Sequence, residues 1–160
     1  MRAAVLTVSD GVHHGTREDR SGDTLGELLH AEGFEVTRQV VPDEPEGIAA
    51  AIVDLAAGHA LVLTTGGTGF TPRDVTPEAT RSVIDREAPG IAEAIRADAR
   101  TKTPHALLSR GLAGLRGATL VVNLPGSPGG CRDGFDVLRP ALIHGLELAA
   151  GDQGSEHRQT

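Results

Sequence analysis

Four short apolar segments alternate with helical patterns, and this alternation limits the chain to a small set of folds. Three of the segments are apolar on both faces, as strands buried in a parallel sheet are. The four segments are residues 3–8, 34–41, 60–65 and 119–124. The alternation of strands and helices predicts an α/β fold, in which a mostly parallel sheet carries helices on both faces.

Capping residues and prolines predict where the helices begin and end. We expect Ser21 to be the N-cap of the first helix and Gly33 to stop it. The other predicted helices run from Pro45 to Gly58, from Thr76 and Pro77 onward, from Pro89 to Arg100, and over residues 127–150 with a kink or split at Pro140. We therefore predict one domain over residues 1–150 and a flexible C-terminal tail over residues 151–160, which lacks apolar anchors.

The charge and aromatic content of the chain argue against nucleic acid as a partner. The 160 residues include 15 basic and 22 acidic side chains, which gives a net charge of -7. There is no Trp or Tyr, and there are only three Phe. The chain therefore has no basic block to follow a phosphate backbone and no aromatic platform on which bases could stack.

The cysteine content and the apolar runs indicate where the protein resides. Cys131 is the only cysteine, so neither an internal disulfide nor a cysteine zinc site can form. No apolar run is long enough to span a bilayer, and the first residues reach polar Ser9 and Asp10 too soon for a signal peptide. We expect a soluble, cytoplasmic protein with no membrane partner.

Polar or glycine-rich segments follow all four predicted strands. Ser9 and Asp10 follow the first strand and Asp43 the second, while GGTG (66–69) follows the third and PGSPGG (125–130) the fourth. Ligands of open α/β sheets bind in the crevice beyond the carboxyl ends of the strands. The four segments are therefore predicted to meet in one binding site.

The segment GGTG indicates phosphate binding, because glycines expose backbone N–H groups with no Cβ in the way. No Lys stands where a Walker A loop requires one. Pro72 occupies the third glycine position of a dinucleotide fingerprint read from Gly67, which weakens the alternative of an NAD-binding enzyme. A plain glycine-rich turn is the structural alternative.

Asp43 and Asp74 are candidate magnesium ligands, because Mg²⁺ takes a few carboxylates and completes its shell with water and phosphate oxygens. Each has a structural alternative, since Asp43 suits a turn and Asp74 could cap the helix that begins near Thr76. Ser127 is a candidate donor to an anion, but a serine in this position more often caps the next helix. Cys131 has no base beside it, and we expect a small buried residue.

Five segments, taken together and in this order, resemble the molybdopterin adenylyltransferase family, the MogA-like group that includes the G domain of gephyrin. They are LTVSDG (6–11), DRSGD (19–23), TTGGTGFTPRDVTPEAT (64–80), LSRGLAGLRG (108–117) and VVNLPGSP (121–128). The resemblance implies a three-layer α/β/α fold, a homotrimer, and a molybdenum insertase as a candidate partner. The implied reaction belongs to molybdenum cofactor biosynthesis and converts Mg²⁺-ATP and molybdopterin to adenylyl-molybdopterin and pyrophosphate.

The same resemblance assigns roles to individual residues. Asp43 and Asp74 match the two essential aspartates of the family, which implies catalytic and metal-binding roles. The residues that match nucleotide or pterin positions are Ser9, Asp10, Thr65, Gly66, Gly67, Thr68, Gly69, Arg73, Ser109, Asn123, Pro125, Gly126 and Ser127. The segment PGGCRDG (128–134) departs from the family pattern, so no ligand contacts are assigned to residues 129–133.

A protein that binds molybdopterin without catalysis is the main alternative. The MoaB-like sister group shares the fold but tends to lose the RDVTPEA pattern. That pattern is intact here over residues 73–79. The sequence therefore favours the adenylyltransferase over the binding protein.

Overall fold

The computed structural model describes residues 1–151, which form one six-stranded sheet flanked by helices. The strands are β1 (Arg2–Val8), β2 (Glu35–Val41), β3 (Leu61–Thr65), β4 (Arg86–Glu87), β5 (Ala113–Arg116) and β6 (Thr119–Leu124). The helices are α1 (Asp10–His13), α2 (Arg20–Ala31), α3 (Pro45–Ala56), α4 (Thr76–Arg81), α5 (Pro89–Arg100) and α6 (Pro128–Ala149), with a 3₁₀ helix at Pro104–Leu108. Apart from Gly151, the predicted tail lies outside the described residues.

The strands lie in the order β2-β1-β3-β6-β5-β4. The first four of these are parallel, whereas β5 runs antiparallel to both β6 and β4. The mostly parallel sheet and its four predicted strands are thus confirmed. The other two strands were missed because β4 has only two residues and β5 has four, one of them glycine, which is too little for a strand pattern.

Helices cover both faces of the sheet, which confirms the three-layer arrangement. Alternate residues of β1 point to opposite faces, as the pleat of a strand requires. Val5 lies in an apolar cluster with Leu29 of α2 and Phe135 of α6. Leu6 lies in a second cluster with Ile52 of α3. Two aliphatic cores, one on each side of a single sheet, therefore hold the layers together.

The N-terminus of α2 corrects one prediction. Asp19, not Ser21, is the N-cap, and its carboxylate accepts a hydrogen bond from the backbone N–H of Gly22 at 3.0 Å. The same carboxylate accepts one from the hydroxyl of Thr7 on β1, at 2.9 Å to its Oδ2. The contacts with Gly22 and with Thr7 on the neighbouring strand hold the carboxylate of Asp19 at the start of the helix.

Helix α6 corrects a second prediction. It runs without interruption over 22 residues and contains exposed Pro140 in its interior, so the helix is not split there. Ser127 is its N-cap and accepts a hydrogen bond from the N–H of Gly130 at 3.1 Å, which confirms the capping role. Although α6 is long, no helix within residues 1–151 combines the length and the apolar character needed to cross a membrane.

Asn123 joins three elements beneath the carboxyl edge of the sheet. Its side-chain oxygen accepts a hydrogen bond from the N–H of Leu112 at 3.1 Å. Its side-chain nitrogen donates to the hydroxyls of Thr64 on β3 at 3.0 Å and Thr80 on α4 at 2.9 Å. The residue is 6% exposed, so these three protein groups replace water as the hydrogen-bond partners of the amide.

We predict that Asn123→Ala destabilises the protein by about 1–3 kcal/mol, because it leaves the buried N–H of Leu112 without an acceptor. For a chain of this size the melting temperature should fall by several degrees. The exposed Gln39→Ala on β2 is the matched control and should melt like the unmodified protein. Equal melting of the two variants in calorimetry would show that the amide bonds contribute nothing net.

Candidate active site

The chain makes a tight turn directly after β3, and only glycine fits it. Gly66 and Gly67 have φ values of 97° and 69°, a region that side chains with a Cβ rarely adopt. A Cβ on Gly66 would overlap the carbonyl oxygen of Val8, and a Cβ on Gly67 would overlap the hydroxyl of Thr76. The glycines therefore serve a close approach between β3, the end of β1 and the start of α4.

The carbonyls of this turn are bonded within the protein, whereas three of its N–H groups have no acceptor within residues 1–151. The hydroxyl of Thr76 donates to the carbonyl of Gly66 at 2.9 Å, and the N–H of Thr76 donates to the carbonyl of Gly67 at 3.1 Å. By contrast, the N–H groups of Gly67, Thr68 and Gly69 donate to no acceptor within residues 1–151. Successive free N–H groups with fixed carbonyls behind them form a concavity suited to an anion such as phosphate.

Asp10 and Asp43 exchange hydrogen bonds between the loops after β1 and β2. The N–H of Asp10 donates to Oδ2 of Asp43 at 2.8 Å, and the N–H of Asp43 donates to Oδ1 of Asp10 at 3.0 Å. Behind them, the N–H of Ser9 donates to the carbonyl of Val41 at 3.0 Å, so the strand pairing extends into the loops. The carboxylate of Asp43 is thereby held at the carboxyl edge of the sheet.

Arg73 reaches the same place from the loop after β3. Its Nε donates to Oδ2 of Asp10 at 3.0 Å and its Nη2 donates to Oδ1 at 2.9 Å, a two-pronged contact that fixes both side chains. The hydrogen bond from Arg73 holds the pKa of Asp10 below its ordinary value, with a further contribution from the N–H of Asp43. Asp10 is therefore ionised at neutral pH and already has a cationic partner.

Asp74 closes the turn that precedes α4. Its Oδ2 accepts a hydrogen bond from the N–H of Thr71 at 2.9 Å, and its own N–H donates to the carbonyl of Thr71 at 3.0 Å. The N-cap of α4 is Val75, with no side-chain cap, so the alternative that Asp74 caps this helix is wrong. One carboxylate oxygen of Asp74 serves the turn and the other is not used by it.

The pKa of Asp43 is raised above its ordinary value. Burial is the largest cause, and the neighbouring carboxylates of Asp10 and Asp74 raise it further, while the N–H of Asp10 opposes the shift. Asp74 thus lies near enough to Asp43 for their charges to repel each other. A cation between the two carboxylates would relieve that repulsion.

The donor set fits a magnesium ion that shares its shell with a phosphate ligand. Within residues 1–151, no group of three or more His, Cys, Asp or Glu side chains could hold a metal by itself. Asp43 and Asp74 supply two carboxylates beside the free amides of the glycine turn. Mg²⁺ usually takes one or two carboxylates and fills its other positions with water and substrate phosphate, as this site would require.

The predicted site residues line two clefts at the carboxyl edge. One, which we call the aspartate cleft, encloses about 580 Å³ and is lined by Ser9, Asp43, Thr65, Gly66, Gly67, Asp74 and Gly126. The other, the helix cleft, encloses about 550 Å³ and is lined by Thr68, Gly69, Ser109, Asn123, Pro125 and Ser127. Asp10 and Arg73 join the edge through their contacts with Asp43 and each other. The segment 66–69 contributes to both clefts.

Side chains predicted to bind ligand are partly engaged within the protein. The amide of Asn123 is fully used between β3, β6 and α4, and the hydroxyl of Ser127 caps α6. Cys131 is fully buried, and its thiol contacts the carbonyl of Pro125 at 3.1 Å. Burial raises the pKa of that thiol to about 11, which disfavours the thiolate at neutral pH, and the expected burial of Cys131 is confirmed.

Arg110 is a residue of this site to which the sequence analysis assigned no role, although it lies in the segment LSRGLAGLRG (108–117). Its Nε donates to the carbonyl of Gly69 at 2.7 Å, its Nη2 donates to the carbonyl of Asp74 at 2.6 Å, and its Nη1 pairs with Glu78. These partners are 32 to 41 positions away along the chain. No local pattern marks contacts of that range, although Arg110 follows the predicted residue Ser109 directly.

Fold and site together describe an α/β protein whose sheet carries a glycine turn and two neighbouring carboxylates at its carboxyl edge. The chain belongs to the family described as "Probable molybdopterin binding domain", which matches residues 4–144. The resemblance expected from the sequence is therefore confirmed.

Relatives of known name agree with this assignment over most of the chain. The molybdenum cofactor synthesis protein cinnamon of Drosophila melanogaster is 40% identical over 98% of the chain. The chain spans only 26% of cinnamon and 22% of Dictyostelium discoideum gephyrin. The molybdopterin adenylyltransferase of Escherichia coli is closer in length. It is 36% identical, with 91% of this chain and 80% of that protein covered.

Solved structures from two branches of the family superpose well. The molybdopterin biosynthesis enzyme MoaB of Thermus thermophilus is 48% identical, with a TM-score of 0.88 over 94% of this chain and 96% of that one. The molybdopterin biosynthesis Mog protein of Mycobacterium ulcerans is 41% identical, with a TM-score of 0.88 over 92% and 98%. The backbone therefore does not distinguish the two branches.

We predict opposite effects of pH on two neighbouring variants. Because the folded pKa of Asp43 is raised, its contribution to stability is present below the ordinary aspartate pKa and is lost as pH rises through the folded value. Asp43→Asn should therefore melt at or above the temperature of the unmodified protein at pH 7 without divalent ions. The folded pKa of Asp10 is lowered, so Asp10→Asn should melt lower at pH 7.

Melting curves from pH 3 to pH 8 in the presence of a chelator test this pair. Both differences from the unmodified protein should shrink toward the acid end, as pH falls below the ordinary aspartate pKa and protonation of the carboxyl groups begins. A lower melting temperature for Asp43→Asn at pH 7 would contradict the inference that the ionised carboxylate of Asp43 destabilises the folded protein.

Proposed function

We propose that this protein transfers the adenylyl group of ATP to molybdopterin in molybdenum cofactor biosynthesis. The observation that supports this most directly is that one cleft is lined by Asp43, Asp74 and Gly67, whose N–H donates to no acceptor within residues 1–151. Adenylyl transfer needs an anion cradle and charge neutralisation at the phosphates, and these groups supply both. The names of relatives that the chain covers nearly end to end agree with this activity.

The two clefts suit the two substrates. The aspartate cleft, with its carboxylates and with Arg17 and Arg20 on its wall, would hold the triphosphate. The helix cleft has apolar side chains such as Ile95 and Leu108 beside the polar Ser109, which suits a flat, polar-edged ring such as a pterin. Since the segment 66–69 lines both clefts, substrates on its two sides would place their phosphates close together.

The reaction requires positioning more than proton transfer. An oxygen of the terminal phosphate of molybdopterin would bond to the α-phosphorus of ATP, and the bond from that phosphorus to the bridging oxygen of the β-phosphate would break, releasing pyrophosphate. A phosphate monoester has a second pKa of about 6, so its oxygen is already ionised at neutral pH. This agrees with the lining of the aspartate cleft, which includes no His or Lys among the described residues.

Asp43 and Asp74 are the residues that would hold Mg²⁺. Bound there, the ion would neutralise charge on the phosphates and orient them. The chain's own part is to fix the two carboxylates: the N–H of Asp10 holds Asp43, and the N–H of Thr71 holds Asp74. The N–H groups of the glycine turn would bind the same phosphates from the other side.

The second candidate is a molybdopterin-binding protein without catalysis. The 48% identity with MoaB of Thermus thermophilus favours it, because that value exceeds the identity with the Mog protein. The intact segment RDVTPEA (73–79) and the placement of Asp74 beside Asp43 favour the enzyme. The two candidates differ in whether pyrophosphate is released.

We predict that the purified protein releases pyrophosphate from Mg²⁺-ATP only when molybdopterin is present. Asp43→Asn and Asp74→Asn should each lower single-turnover adenylylation by about a hundred- to a thousandfold, because each removes a preorganised charge at the reacting phosphates. The double variant should be little worse than either single one, since the two carboxylates act as a unit.

Molybdopterin binding and melting curves on the same samples complete the test. Both variants should fold and bind molybdopterin, since both aspartates lie in loops and asparagine keeps an acceptor oxygen. Near-normal turnover in the two single variants would refute the mechanism. Binding without turnover in the unmodified protein would support the non-catalytic alternative.

We further propose that the protein assembles as a homotrimer through apolar contacts. Phe70 and Leu107 are 67% and 63% exposed, and covering such side chains at a contact between subunits would remove apolar surface from water. Sedimentation equilibrium at micromolar concentration should give about three times the chain mass of 16.5 kDa. A species of the chain mass alone would contradict this. The molybdenum insertase partner and the cytoplasmic location stay predictions from the sequence.

A further inference from the structure

Arg110 is attached to both ends of the segment that carries Asp74. Its backbone N–H donates to the carbonyl of Thr68 at 2.9 Å, and its Nε donates to the carbonyl of Gly69 at 2.7 Å. Its Nη2 donates to the carbonyl of Asp74 itself at 2.6 Å, and its Nη1 pairs with Glu78. One side chain thus spans the irregular chain between β3 and α4.

The geometry of the guanidinium makes these contacts interdependent. Its donors lie in one rigid plane, so bonds to Gly69 and Asp74 fix the distance between the two carbonyls. A lysine in the same place would keep the charge but has a single nitrogen, which cannot reproduce the fork. The contact with Glu78 uses a different nitrogen and does not involve the backbone.

Few other contacts fix Asp74 relative to the sheet. Phe70, Thr71, Pro72 and Arg73 are all exposed. The bonds between Asp74 and Thr71 are internal to the turn, so they shape it without attaching it to the rest of the protein. The attachment is made by Arg110 at the carbonyl of Asp74, by the side chain of Arg73 at Asp10, and by Thr76 at the carbonyls of the glycine turn. Only the contact of Arg110 is made with the backbone of Asp74 itself.

We infer that Arg110 is a positioning residue, which holds the carboxylate of Asp74 where it can share a cation with Asp43. This inference rests on the proposed function of the site. Arg110 does not line the aspartate cleft, so it acts through the backbone of the loop and not by contact with the phosphates. The expected consequence is a dependence of metal affinity on a residue that touches no metal ligand atom.

The test compares Arg110→Lys with Glu78→Gln as its matched control. The first variant removes the paired hydrogen bonds to the carbonyls of Gly69 and Asp74 and keeps the positive charge. The second removes the ion pair between Arg110 and Glu78 and keeps both hydrogen bonds to the carbonyls. Binding of Mn²⁺ in the presence of a non-hydrolysable ATP analogue, followed by electron paramagnetic resonance, reports on the site without turnover. Single-turnover adenylylation and melting curves are measured on the same samples.

Arg110→Lys should weaken Mn²⁺ binding about 10- to 100-fold, the usual effect of removing a group that orients a metal ligand. Turnover should fall as well and recover in part at high Mg²⁺, while Glu78→Gln should behave like the unmodified protein in both assays. Unchanged Mn²⁺ affinity in Arg110→Lys, or an equal loss in Glu78→Gln, would overturn the inference. Unfolding of Arg110→Lys at the assay temperature would assign Arg110 to stability and overturn it too.

The same measurements distinguish a failure of the positioning role from a failure of the proposed enzymatic function. If the unmodified protein binds Mn²⁺ in an Arg110-dependent way but transfers no adenylyl group, the positioning role stands and the enzymatic function fails. If it binds no Mn²⁺ with the nucleotide analogue, the positioning role fails as well.

Discussion

The exchange of hydrogen bonds between Asp10 and Asp43 is the interaction on which the rest of the site depends. It continues the pairing of β1 and β2 past their last residues and turns a carboxylate from each loop toward the same edge. Arg73 then binds the carboxylate of Asp10, so the carboxylate of Asp43 remains for a cation. A parallel sheet brings loops to one edge, but it takes this contact between side chains and backbone to fix which charge faces the cleft.

The glycine turn is a thin wall between two clefts. It is a single stretch of backbone without side chains at its tightest point, and a Cβ on Gly126 would lie 3.3 Å from Gly66 on its other flank. The carbonyls of Gly66 and Gly67 accept hydrogen bonds from Thr76, and the N–H groups from Gly67 to Gly69 donate to no acceptor within the described residues. Two ligands on opposite sides of such a wall can approach each other more closely than across any pair of side chains. A wall of this kind would suit a group-transfer reaction.

The sequence predicted the parallel strands, the two aspartates and the glycine turn because each depends on local signals. Apolar runs mark buried strands, and positive-φ turns require glycine. It predicted Ser21 as a helix cap, whereas the cap is Asp19, whose partner Thr7 lies on β1. The sequence did not predict β5, because four residues are too few for a strand pattern. It gave no role to Arg110, because the partners of that side chain are distant in the sequence. Features that depend on neighbouring residues could therefore be predicted from the sequence, whereas contacts between distant loops could not.

The burial pattern of the sheet determines how the molecule opens. All five residues of β3 are buried, and the strand has a hydrogen-bonded neighbour on each side, so its amide protons should exchange with solvent only when the whole domain unfolds. The loop around Phe70 and Pro72 is exposed and is attached by few side chains, so it can open locally at a much smaller free energy. On heating, this protein should therefore lose its binding geometry before its sheet melts.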